Sequence, residues 1–159
     1  MMIRINTVLI TTLIAAAVAG AGVLPARAGD VPSGPAVIPI AATVAYVIDG
    51  DTLRIDPITW GDGREFVRVR LETFSAPEIG KRARCETEAR LGERAKSRMA
   101  ELIRPGDHVI LYSARPGRYA GHLIADVRLS NNQDPGLFLL REGLAVPFDR
   151  RSRPDWCGR

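Results

Sequence analysis

Cysteine and histidine each occur only twice in these 159 residues. Cys85 and Cys157 show no CxxC spacing, and His108 and His122 do not cluster, so nothing here makes a zinc site. No internal repeat is present. Pro and Gly together number 26, too few for a collagen-like or low-complexity chain. The chain is too short for two ordinary domains but long enough for one with a real core. Apolar residues at 46% and charged residues at 25% are ordinary for a globular protein. The formal charge of +4 is partly carried by a stretch without any acid, residues 1–28, which holds Arg4 and Arg27. Without that stretch 20 basic residues face 18 acidic ones, a weak basicity that neither demands nor excludes a polyanionic partner.

Residues 1–28 read as a signal peptide. Arg4 supplies the positive start and Thr7–Leu24 is apolar apart from Thr and Gly. Pro25-Ala26-Arg27-Ala28 then ends in an A-x-A cleavage pattern. Small residues at −3 and −1 favour cleavage over retention as a membrane anchor, and no cysteine follows the cut to carry a lipid. The expected product is an exported protein, periplasmic or secreted, monomeric and with no stable membrane association. In such a compartment a lone cysteine pair reads as a disulfide, Cys85–Cys157. It would close a loop of roughly 70 residues, worth about 4 kcal/mol in the chain-entropy account.

Residues 29–42, rich in Pro and Gly at first, read as a flexible lead-in, followed by one domain over 43–159. Thr43–Ile48 and Thr52–Ile55 flank Asp49-Gly50-Asp51, a favoured hairpin turn. Trp60–Arg64 is a second turn. Glu65–Thr73 alternates, which places Phe66, Arg68, Arg70 and Glu72 on one face and Val67, Val69, Leu71 and Thr73 on the other. Glu86–Arg104 carries Leu91, Ala95, Met99, Leu102 and Ile103 at helical spacing, stopped by Pro105-Gly106. Val109–Ser113 and Leu123–Leu129 read as strands. Asp134-Pro135 opens a short helix that Gly143 closes, and Leu144–Phe148 is a last strand. Arg150-Arg151-Ser152-Arg153-Pro154 reads as a solvated basic segment tied down by Cys157. Tyr46, Tyr112 and Tyr119 read as barrel or surface packing. The pattern predicts a small α+β, mainly β, barrel with packed helices.

Three motifs, in order, resemble the staphylococcal-nuclease-like (thermonuclease) family. They are Val47-Ile48-Asp49-Gly50-Asp51-Thr52-Leu53, the segment from Arg70 to Ala76-Pro77-Glu78, and Leu140-Arg141-Glu142-Gly143-Leu144-Ala145. The resemblance implies a five-stranded OB-type barrel that cuts DNA and RNA phosphodiesters with calcium. It carries a metal-ligand role to Asp51, a phosphate grip to Arg70 and the handling of attacking water to Glu78. A hard cation on carboxylate oxygens and guanidinium forks on phosphate oxygens would offset the charge that builds up as water attacks.

Two positions depart from the family pattern. The second metal carboxylate falls on neutral Ser75, beside Ala76, whose backbone carbonyl remains available to a metal. The late phosphate-gripping arginine falls on His122, in Ala120-Gly121-His122. Two readings therefore stand. One is an exported nuclease using a modified site of Asp51, Arg70, Glu78 and His122. The other is a non-catalytic OB-fold module that binds nucleic acid or a partner protein.

Overall fold

A computed structural model describes residues 38–158. The expected signal peptide, residues 1–28, and residues 29–37 of the expected lead-in lie outside the described residues. Among the described residues no helix is long and apolar enough to cross a membrane.

Five strands close into a barrel of mixed direction. β1 (Ile40–Asp49) and β2 (Thr52–Thr59) form the hairpin around Gly50, and β3 (Glu65–Leu71) follows the Trp60–Arg64 turn. β1 begins three residues before the strand expected at Thr43, because Ile40–Thr43 pair with residues 108–111. A two-residue strand β4 (Phe74–Ser75) leads through a 3-10 turn at Gly80–Arg82 into helix α1 (Glu86–Leu102). β5 (His108–Pro116), β6 (His122–Leu129), helix α2 (Pro135–Arg141) and a short β7 (Val146–Pro147) complete the order. The barrel runs β1-β2-β3-β6-β5, closed by β1 on β5. Only β3 and β6 pair in parallel, and β4 pairs with β7 outside the barrel.

The helices obey their local signals. Asp134 caps α2 by accepting the Gly136 N–H, Pro135 takes the first turn, and Gly143 adopts φ +68° beyond the end. The Leu53, Val69, Leu111 and Leu123 side chains fill the barrel, while Phe74, Met99, Ile103 and Leu139 cover it. Each such side chain contributes about 1.5–3 kcal/mol when fully buried.

The alternation expected along residues 65–73 breaks in the middle. Phe66 is buried with Val69 and Leu71 rather than sharing the outer face of Arg68 and Arg70. The N–H groups of Val67 and Arg68 both donate to the Gly121 carbonyl, at 3.0 and 3.1 Å, so one extra residue is accommodated and the faces exchange. β5 makes a similar adjustment near Ser113 (φ 52°), which puts Arg115 opposite Ile124.

Candidate functional site

The β1–β2 turn delivers Asp49 and Asp51 to one end of the barrel, and the ladder sets Arg70 directly opposite Thr52. Gly50 is required there. A Cβ on it would lie 2.6 Å from the Ala76 Cβ and 2.8 Å from the Ala95 Cβ. The turn therefore sits against both the segment after β4 and α1. Gly92 plays the matching part on α1, since a Cβ there would come 2.5 Å from the Glu78 carbonyl. Two glycines thus let Asp51 and Glu78 approach the same helix.

Asp51 is almost completely buried and its carboxylate is fully engaged. Arg70 donates from Nη1 to Oδ1 and from Nη2 to Oδ2, both at 3.0 Å. The Thr52 hydroxyl donates to Oδ1 at 3.1 Å, and the Ala76 N–H donates to Oδ2 at 2.9 Å. Burial is the largest influence on its proton affinity and pushes the carboxyl up to about 7; Arg70 opposes this and Asp49 adds to it. Asp49, also buried, accepts the Asp51 N–H at 3.3 Å and the Arg82 Nη2 at 2.7 Å. Arg82 then reaches Glu78 at 2.8 Å, so one guanidinium bridges the turn and the candidate base.

A cleft of about 350 Å³ opens over this group, and Arg70, Ser75, Ala76 and Glu78 line it. Its opposite wall is the C-terminal segment, including Arg150, Arg151 and Arg153. Asp51, Arg70, Ser75, Ala76 and Glu78 are thus brought together. His122 is not, because it lies outside this cleft, on β6 opposite Arg68 and edge-on to Tyr119 at 5.7 Å. Burial and then Arg68 hold its imidazole below the ordinary value, favouring the neutral form. Tyr46 and Tyr119 are well exposed, so they are surface residues rather than barrel packing.

Sequence reasoning missed two participants, Glu88 and Arg82. Glu88 is wholly buried and accepts the Arg84 N–H at 2.7 Å and the Arg153 Nη2 at 3.1 Å. Burial alone raises it, but these donors outweigh burial and hold the carboxyl below its ordinary range. The Cys85-x-x-Glu88 spacing, like a capping box, was the available signal: Cys85 caps α1 by accepting the Glu88 N–H. Arg82 carried no signal beyond its charge. At the rim, Arg115 grips Glu72 with both terminal nitrogens and Arg150 adds a contact at 3.2 Å. The Arg115 hydrogen bonds, more than Arg150, hold the Glu72 carboxyl below its ordinary range.

The expected disulfide is present between Cys85 and Cys157. It fastens the C-terminal segment to the start of α1.

Calcium, which the resemblance implies, was tested against these donors. Ca²⁺ takes six to eight oxygens, several of them charged. Here the Asp51 oxygens already accept four N–H or O–H donors, Ser75 is neutral, and the group Ala76 turns to Asp51 is its N–H. Among the described residues no three metal-ligating acids, histidines or cysteines cluster. The arrangement does not fit a calcium ion.

A family model described as staphylococcal nuclease homologue matches residues 68–155. That is more than half of the chain, and the chain belongs to this family. No curated protein matches it. The Asp51 motif precedes the matched span.

Proposed function

We propose that this member of the staphylococcal nuclease family is an exported protein that acts on nucleic acid, hydrolysing phosphodiester bonds at the Arg70–Glu78 cleft. The observation that carries the reading is the sharing of one cleft by Arg70, Glu78 and three C-terminal arginines. A phosphodiester entering it meets guanidinium groups that offset its charge. Arg70 exchanges part of its Asp51 contact for a phosphate oxygen, and the raised carboxyl lets buried Asp51 take a proton as the arginine turns away. Glu78 accepts the proton of the attacking water while the water oxygen bonds to phosphorus, and the bond to the sugar oxygen breaks as that oxygen takes a proton from solvent water. No step runs through a metal. Export is supported by the pattern of residues 1–28 and by the disulfide.

The test is cleavage of DNA and RNA by residues 29–159, with calcium, with magnesium and with chelator. Cleavage that survives chelator and is lost in Glu78→Gln and Arg70→Ala is the expected result. Calcium-dependent cleavage would overturn the donor argument but not the nuclease reading. The absence of any cleavage by the parent would favour the second reading, a module that binds without turnover. Ser75 and the fully engaged Asp51 carboxylate are what favour that alternative.

A further inference from the structure

We infer that the C-terminal arm, residues 148–157, supplies the phosphate grip that is missing at His122, with Arg151 as the contacting residue and single-stranded nucleic acid as its ligand. The inference rests on the proposed reading of the cleft.

The position of the arm is dictated by its fastenings. Trp156 is 1% exposed, Cys157 is bonded to Cys85, and Arg153 donates to buried Glu88 and to the Arg82 carbonyl at 3.2 Å. Arg84 reaches back to the Pro154 carbonyl. At the other end, the Phe148 N–H donates to the Thr73 carbonyl at 3.1 Å. Between these anchors Asp149 accepts the Arg151 N–H at 2.8 Å and the Ser152 hydroxyl at 2.7 Å, a local turn that puts Arg150 and Arg151 at its tip.

The arginines of this wall differ in how far they are committed. Arg153 is spent on Glu88 and Arg150 touches Glu72, whereas the Arg151 side chain makes no ion pair or hydrogen bond among the described residues. Arg151 lines the same cleft as Arg70 and Glu78. An uncommitted guanidinium facing a cleft that already holds a phosphate-type fork is suited to a second phosphate oxygen or to the next phosphate along a strand. Because the anchors of the arm run to the start of α1 and to Thr73, between β3 and β4, the disulfide acts as a positioning device for that grip.

The experiment measures binding apart from turnover. The full chain, made so that its disulfide forms, carries Glu78→Gln in every version and is titrated into a fluorescent single-stranded DNA of about ten nucleotides. Arg151→Ala should weaken binding about tenfold at 0.1 M salt and flatten the salt dependence by about 0.7 of a logarithmic unit. Arg104→Ala removes the same charge from the far end of α1, about 25 Å away along the helix, and should cost less than about twofold. Cys85→Ser/Cys157→Ser should weaken binding as much as Arg151→Ala, with no further loss when the two are combined.

Equal losses from Arg151→Ala and Arg104→Ala would overturn the grip, since charge alone would then explain both. So would full affinity in Arg151→Ala beside a clear loss in Arg70→Ala; that result leaves the cleft reading standing. An unaffected serine variant would overturn the positioning role of the disulfide. Failure of the parent to bind the probe would sink the cleft reading itself.

Discussion

The two walls of the cleft are built by different means. On the barrel side, Asp51 and Arg70 are placed by backbone ladders: Asp49 lies opposite Thr52 and Thr52 opposite Arg70. Every oxygen of the Asp51 carboxylate is engaged. On the arm side little regular structure exists beyond the β4–β7 pair, and position comes from one disulfide, one buried tryptophan and the Glu88 cluster. The barrel wall is rigid because moving it breaks the core. The arm wall is rigid only while its cross-links hold, so it can be released without dismantling the barrel. The buried Asp51 carboxylate belongs to the first wall, and the exposed Arg151 belongs to the second.

The largest effect that would separate the walls is removal of the disulfide. Cys85→Ser/Cys157→Ser should lose about 4 kcal/mol in urea unfolding, while the far-ultraviolet circular dichroism of the folded state stays that of the parent. A changed strand signal would mean that the barrel depends on the arm. Next is Arg70→Ala, which strands a buried carboxylate and should cost about 3 kcal/mol at pH 8. At pH 5 the loss should be visibly smaller, because Asp51 can then be protonated. Equal losses at both pH values would show that Asp51 is not the group affected.

Gly92→Ala should cost about 1–3 kcal/mol by overpacking and lower cleavage more than it lowers binding, because the displaced neighbour is the Glu78 backbone. A variant as active as the parent would show that Glu78 is not placed by α1. The last effect concerns pH alone. The Asp51 carboxyl is raised from 3.8 to about 7, so across that window the folded chain keeps a proton that the unfolded chain has released. Its contribution to stability is fully present below 3.8, declines as pH rises through the window, and is gone above about 7. Subtracting the pH profile of Asp51→Asn from that of the parent should isolate this decline. A flat difference would refute it.

Much of the barrel wall was legible because it is local. The Asp49-Gly50-Asp51 turn, the capped α2 and the apolar stripe of α1 each depend on residues a few positions apart. The same short range explains why the segment from Arg70 to Glu78 could be recognised. The phase of β3 was not legible, since the bulge that buries Phe66 depends on the Gly121 carbonyl of another strand. Nor was the separation of His122 from Arg70: both fall at positions where the family resemblance implies a phosphate-gripping arginine, but β6 leaves the imidazole beside Arg68.

By itself, the sequence determined the barrel's hairpins, its helices and their caps, the family resemblance, and a cysteine pair fit to be bridged, because these follow from periodicity, turn chemistry, three short motifs and the cysteine count. Tertiary structure alone decided that the Asp51 carboxylate is filled by Arg70, Thr52 and Ala76, that Arg82 links Asp49 to Glu78, and that a basic tail becomes the wall of a cleft. Arg70 and Ala76 reach Asp51 from 19 and 25 residues away, Arg82 reaches Asp49 from 33, and Arg153 reaches Glu88 from 65. Burial and donor geometry at such separations exist only once the chain has closed on itself.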